Sequence, residues 1–179
     1  MTRPVPADVR RATTDDVPAI LLVRERAIRV SAAEVYDAAT VDAWASGGSS
    51  ERLRHLVAQA LGVVATVDGE VVGWACLEGE EVQQLYVHPE HGGRGVARAM
   101  YEALERAAVD SGTVRLRTTA SLRSAPAFDR FGFTERSRGP EPFPGGPVEV
   151  VRMGKELRDG PGPTAPRTSP GGHRKMSGM

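Results

Sequence analysis

The sequence predicts a mixed α/β domain: a mixed, mostly antiparallel sheet flanked by helices, in the order βααβββαβαββ. Two observations carry this expectation. Gly62 to Val67 and Val71 to Leu77 are apolar, β-branched runs separated by Asp68-Gly69-Glu70, and Asp-Gly between such runs is a strong hairpin signal. Further on, the run EVQQLYV, a glycine turn, a helical stretch and the alternating Val114 to Thr119 form a strand–helix–strand unit, which implies a parallel pair with a right-handed crossover.

The remaining elements follow in order. A short strand at Val9 to Ala12 leads into Thr14-Asp15-Asp16, a helix start in which Pro18 falls in the first turn. Val17, Ile20, Leu21, Val23, Ala27, Ile28 and Val30 recur at helical spacing and leave the charged residues from Arg24 to Arg29 mostly to solvent. A second helical stretch from Thr40 through Trp44 continues, after the break Ser46-Gly47-Gly48-Ser49, into Glu51 to Ala60. Glu78-Gly79-Glu80 turns the hairpin into a third strand that closes at His88-Pro89, completing an antiparallel meander. Val96 to Val109 is helical, with Val96, Met100, Ala103, Leu104 and Ala107 on one face. A short helix at Ser124 to Phe131 and strands at Phe133 to Ser137 and Val148 to Met153 end the domain, which spans residues 1–157. Residues 158–179 are rich in Pro, Gly, Ser and Thr with almost no large apolar side chains, so burial there cannot offset ordering entropy; this reads as a flexible tail.

Composition narrows the function. Lys plus Arg equals Asp plus Glu at 23 each, unlike the basic balance of a general nucleic-acid binder. No apolar run reaches the roughly 18 residues needed to span a bilayer, and the N-terminal text has no signal-peptide core, so the expected location is cytoplasmic. The single cysteine, Cys76, allows no internal disulfide and reads as core. His55, His88 and His91 lack ligand spacing, so no metal is expected.

The most informative segment is LYVHPEHGGRGVARAMYEALERA, where a strand, a turn with Gly92, Gly93 and Gly95, and a helix beginning near Val96 are contiguous. Glycines let successive N–H groups converge without Cβ obstruction, and a helix start adds unpaired donors and its positive dipole end. A diphosphate suits such a place, although a tight turn can need glycine for conformation alone. A Walker loop would need Gly-Lys-Ser/Thr, and a dinucleotide fingerprint would need GxGxxG at the first strand of a parallel sheet; neither pattern fits.

HPEHGGRGVARAMYEAL resembles the acetyl-CoA-binding motif of the GCN5-related N-acetyltransferases, Q/R-x-x-G-x-G/A. In that alignment Gly92 takes the Gln/Arg position, Gly95 the glycine and Ala97 the last small residue, with Arg94 available to supply charge. ASLRSAPAFDRFGF is similar to a later family segment, with Ser121 where Asn is common and Phe128 in the usual Tyr position. IRVSAAEVYDAATVDAWA resembles a bacterial branch in which a Tyr and a Trp, here Tyr36 and Trp44, precede the sheet. The resemblance implies that two splayed parallel strands hold acetyl-CoA. The co-substrate would bond to backbone around Leu85, Tyr86 and Val87 and to the loop Gly92, Gly93, Arg94, Gly95, Val96 and Ala97, with Ser121 nearby.

Amide formation needs a neutral amine, a donor for the oxyanion and a leaving thiolate. Period-two alternation puts Glu81, Gln83, Leu85 and Val87 on one face. Glu81 also precedes Gly95 by fourteen residues, where family members carry a general-base glutamate; Glu80 is its rival, and a polar strand start is the plain alternative. The backbone N–H of Leu85 or a neighbour is expected to meet the oxyanion. Because Phe128 cannot donate a proton, Ser124 one helical turn earlier is the candidate to hydrogen-bond the sulfur, with release as thiolate helped by water as the alternative. Tyr36, Trp44, Gln83 and Phe143 are candidate acceptor contacts, the last in a Pro140 to Pro147 loop that covers the cleft or merely stiffens a connection. The expected partners are therefore acetyl-CoA and an amine, small-molecule or protein, with no nucleic acid or membrane and with a homodimer left open. Two readings stand at this point: an acetyltransferase working by direct attack in a ternary complex, and a non-catalytic acyl-CoA-binding or sensor domain of the same fold.

Overall fold

A computed structural model of the chain describes residues 7–143 and 146–157. The tail expected at 158–179 lies outside the described residues. The seven strands are β1 (Asp8–Arg11), β2 (Leu61–Val67), β3 (Glu70–Glu78), β4 (Glu81–Val87), β5 (Arg115–Ser121), β6 (Thr134–Glu141) and β7 (Val148–Glu156), in the sheet order β1-β2-β3-β4-β5-β7-β6. Every pairing is antiparallel except β4 with β5. The helices are α1 (Val17–Ser31), α2 (Ala38–Ser46), α3 (Ser50–Gln59), α4 (Val96–Asp110) and α5 (Ala125–Arg130).

The fold class matches expectation, with one helix more ahead of the sheet. The stretch read as continuing from Thr40 to Ala60 is two helices, each with its own N-cap: Asp37 accepts from Thr40 N–H (2.9 Å) and Ser49 from Arg52 N–H (3.3 Å). At the Asp-Gly hairpin, Asp68 (φ 52°) and Gly69 (φ 84°) both adopt the left-handed region, as the two-residue turn matching strand twist requires. β6 runs on through Pro140 to Glu141, beyond the expected end at Ser137. It is an edge strand, where the missing proline N–H costs no ladder bond.

The sheet separates two apolar layers. On one face Val96, Met100, Tyr101 and Leu104 of α4 and Phe128 of α5 pack on Ala75, Val82, Leu116 and Val151. On the other, Val17 and Ile20 of α1 and Leu53, Leu56 and Val57 of α3 pack on Val64, Trp74 and Cys76. Full burial of each large side chain contributes roughly 1.5–3 kcal/mol. Gly73 sets how closely α4 approaches, because a Cβ there would stand 2.7 Å from Met100 Cε. The α4 face is covered from β2 to β7, whereas α1, α2 and α3 cover only the N-terminal part of the opposite face. Arg115, Arg117, Thr119 and most of β6 are therefore exposed.

At the entry to α1, the Arg10 guanidinium forks onto both oxygens of Asp16 (2.8 Å each), and the Thr13 N–H donates to the same carboxylate (2.8 Å). The Arg10 bonds, opposed by burial and reinforced by Thr13, lower the Asp16 pKa to about 2. A carboxyl depressed on folding contributes stability that is full above its unfolded pKa, near 3.9, and lost as pH falls through the folded value. Asp16→Asn is therefore expected to cost about 1–2 kcal/mol at neutral pH and to flatten the loss of stability between pH 4 and 2; denaturant melts across that range check it.

Candidate active site

Among the described residues β4 and β5 meet at one bridge, Glu81↔Arg117, where Arg117 N–H donates to Glu80 C=O (2.9 Å) and Thr118 Oγ1 to Val82 C=O (3.0 Å). Beyond it the strands splay. On the other side of β4, His88 N–H donates to Val72 C=O (2.8 Å), which sets the phase of the β3–β4 ladder. With Gly73↔Val87 and Trp74↔Tyr86 in register, alternation commits the N–H and C=O of Gln84 and Tyr86 to β3 and turns those of Leu85 and Val87 toward the opening V. Buried or half-buried backbone groups need partners, so this edge is a template for an extended, hydrogen-bonding arm.

The register also corrects the expected face. β3 and β4 shift between Cys76 and Leu77, with Val82 opposite Leu77 and Gln84 opposite Cys76, so Gln83 is an extra, bulged residue. Val82, Leu85 and Val87 pack into the α4 layer, while Tyr86 packs beneath α1 and α2 and Gln84 accepts from Trp74 Nε1 (2.8 Å). Glu81 therefore lies on the face opposite Leu85, since one bulge inverts the alternation. Tyr86 has both its side chain and its backbone engaged elsewhere, which leaves Leu85 and Val87 as the strand's contribution to the cleft.

At the open end of the V the chain forms a short 3-10 turn, Pro89–His91, and then the glycine loop. Gly93 (φ 70°) and Gly95 (φ 86°) are left-handed, and a Cβ at either would meet nothing within 4 Å, so conformation demands glycine and the space beside it is open. Among the described residues the N–H groups of Gly93, Arg94 and Gly95 have no backbone acceptor, and the first α4 bond is Ala99 N–H to Gly95 C=O (3.0 Å). These donors and those of Val96 and Ala97 in the first turn fit a diphosphate. Arg94 is half-buried in the same loop, and Gly92 holds extended backbone (φ −63°).

Glu81 lies at the closed end of the V, 3.6 Å from Arg117 Nε, with its side chain 29% exposed. Glu80, its rival, is tied to Arg115 at 2.9 Å. Tyr36, Trp44 and Phe143 meet as an edge-to-face series, with ring centroids 5.9 and 5.2 Å apart. The Tyr36 hydroxyl is already satisfied, donating to Glu149 C=O (2.9 Å) and accepting from Leu122 N–H (3.2 Å). It ties the approach to α2 to the ends of β5 and β7. At the start of α5 the hydroxyls of Ser121 and Ser124 lie 2.8 Å apart, and Phe128 is buried edge-on against Phe131 and Phe133.

The structure thus brings together the loop with Leu85 and Val87, and separately the three aromatics. Sequence reasoning missed the arginines beside Glu81, whose signal was the alternation R-L-R-T-T in β5. Cys76 is fully buried, and burial pushes its thiol up to about 12. The native protein is expected to resist alkylation at pH 8 and to react once unfolded, which a mass-shift assay with and without denaturant reads. Among the described residues no group of three or more His, Cys, Asp or Glu side chains is placed to hold a metal ion, and no helix is long and apolar enough to cross a membrane.

A sequence model of the family described as "Acetyltransferase (GNAT) domain" matches residues 32–157. This chain belongs to that family. It is an acyl-CoA-dependent N-acetyltransferase. A curated relative, the uncharacterized N-acetyltransferase YafP of Escherichia coli, is 27% identical over 125 residues, 70% of this chain and 79% of that protein. Among solved structures, a GCN5-related N-acetyltransferase from Rhodopseudomonas palustris superposes with a TM-score of 0.81 at 28% identity, covering 88% of this chain and 98% of the other. The PaiA N-acetyltransferase of Thermoplasma acidophilum, solved in complex with coenzyme A, shares the fold at a TM-score of 0.68 and 16% identity, over 85% and 99% of the two chains.

Proposed function

We propose that this acetyltransferase works by direct attack in a ternary complex, with the pantetheine arm of acetyl-CoA lying along Leu85 and Val87 and its diphosphate on the Gly93–Val96 turn. The supporting observation is the phase of β4: two residues whose N–H groups point away from β3 lead to a loop whose N–H groups have no backbone acceptor among the described residues. Both ends of an extended phosphorylated arm are thus matched by backbone.

In this reading Glu81 takes the proton of the attacking amine through water. An ordinary amine has a pKa near 10, so the base works on its minority neutral form. The nitrogen attacks the thioester carbonyl carbon, Leu85 N–H donates to the developing oxyanion, and the C–S bond breaks as the amide forms. Phe128 supplies no proton. Ser124, already paired with Ser121, hydrogen-bonds the departing sulfur, whose thiol pKa near 8.5 permits release as thiolate. Phe128→Tyr is therefore expected to change kcat by less than about tenfold, and an increase of orders of magnitude would overturn this assignment. We also place the enzyme in the cytoplasm, where Cys76 stays a free thiol.

Thiol release from acetyl-CoA across a panel of amines tests the proposal, with Glu81→Gln as comparison. Turnover that depends on Glu81 supports it. Tight acetyl-CoA binding without turnover on any amine would favour a sensor domain instead.

A further inference from the structure

The sheet face left bare by α1, α2 and α3 holds a groove of about 650 Å³ that begins at Glu81 and Thr118, where β4 and β5 separate, and extends over β7 to β6. Its charged lining is Glu81, Arg115, Arg117, Arg136, Arg152 and Glu156. Arg115 and Arg152 are hydrogen-bonded to carboxylates outside the groove, Glu80 and Glu141. Arg117 and Arg136 differ. Their carboxylate neighbours, Glu81 and Glu156, stand at 3.6 and 3.9 Å, and among the described residues neither guanidinium has a hydrogen-bond acceptor. Each carries five N–H donors in a planar fork suited to an oxyanion.

Two backbone features aim them at one place. The β6–β7 register steps from Glu135↔Met153 to Ser137↔Arg152, so Arg136 is a bulged residue, a device that re-aims a side chain. Its guanidinium crosses β7 at Gly154, where a Cβ would lie 3.0 Å from Arg136 Nε. Gly154 is also the cross-strand neighbour of Arg117. A side chain at 154 would crowd Arg136 where it crosses β7; with glycine there, Arg136 and Arg117 both line the groove that begins at Glu81.

We infer that the acceptor amine also carries an oxyanion, a carboxylate or a phosphate, which Arg117 and Arg136 hold while the amino group lies at Glu81. This rests on the acetyl-transfer mechanism proposed above and names its acceptor class. One to two interstrand spacings, roughly 5–10 Å, separate β4 from the β5–β7 seam, which suits an amine and an anion a few bonds apart. The anion displaces the long Arg117–Glu81 contact, leaving the carboxylate free to take the amine proton.

The test is acetyl-CoA thiol release with matched acceptors: L-amino acids and dipeptides each against the C-terminal amide, and phosphoethanolamine against ethanolamine. The two arms separate carboxylate from phosphate. The anionic member of one series is expected to exceed its neutral partner by about tenfold or more in kcat/KM. Arg136→Gln and Gly154→Ala should each raise KM for that acceptor about tenfold while leaving KM for acetyl-CoA and the melting temperature little changed. Neutral members that react equally well, or a preference that survives Arg136→Gln, would overturn the acceptor class alone. No thiol release on any member, with acetyl-CoA still bound, would overturn the transfer mechanism and this inference with it.

Discussion

Glu81→Gln is expected to lower kcat by about 10²- to 10³-fold, the usual contribution of one positioned general base, while KM for acetyl-CoA stays within about twofold. The separation follows from where Glu81 lies. It occupies the closed end of the β4–β5 V, whereas the donors assigned to the co-substrate begin at Leu85 and continue to the glycine loop. Removing its charge therefore leaves the binding groups untouched. Glu80→Gln is the matched control, because Glu80 is held by Arg115 at 2.9 Å; its kcat should remain within about threefold of wild type. Steady-state kinetics with both substrates varied checks both. Equal losses in the two variants would transfer the catalytic role away from Glu81.

Gly95→Val carries the second large effect, on binding rather than chemistry. At φ 86° a β-branched side chain is strained by roughly 1–2 kcal/mol, and its Cβ would project into space free of protein atoms. The protein should still fold, with a small drop in melting temperature. Its Kd for acetyl-CoA should rise by about 10²-fold or more, because the side chain fills the space beside the loop donors and tilts their N–H groups. Gly112→Val separates strain from binding. Gly112 has φ 80° and equally open surroundings, but it follows the C-terminal end of α4. The control should show a similar melting shift and unchanged Kd by calorimetry.

Local chemistry was legible in the sequence. Asp68-Gly69 demanded two left-handed residues and therefore a hairpin, and Gly93 and Gly95 marked a turn that adopts the left-handed region at both glycines. What could not be read depends on neighbours distant in the chain. The bulge at Gln83 arises from the β3–β4 register, and it moved Glu81 to the face opposite Leu85 although strict alternation puts them together. The arginine groove needs β5, β7 and β6 to lie side by side, an order that no local pattern encodes. Tyr36 was legible as an aromatic near the site. Its hydroxyl, however, joins Leu122 and Glu149, residues 86 and 113 positions away, so its part as a clasp emerged only from the fold.

The seating of the co-substrate along β4 is tested most directly by amide hydrogen exchange, residue by residue, with and without coenzyme A. The ladder phase predicts that Gln84 and Tyr86 amides, bonded to β3, exchange slowly in both states. Leu85 and Val87 should exchange faster in the free protein and become protected when coenzyme A binds, together with Gly93, Arg94 and Gly95. Unchanged exchange at Leu85 and Val87 in a protein saturated with coenzyme A would contradict the account.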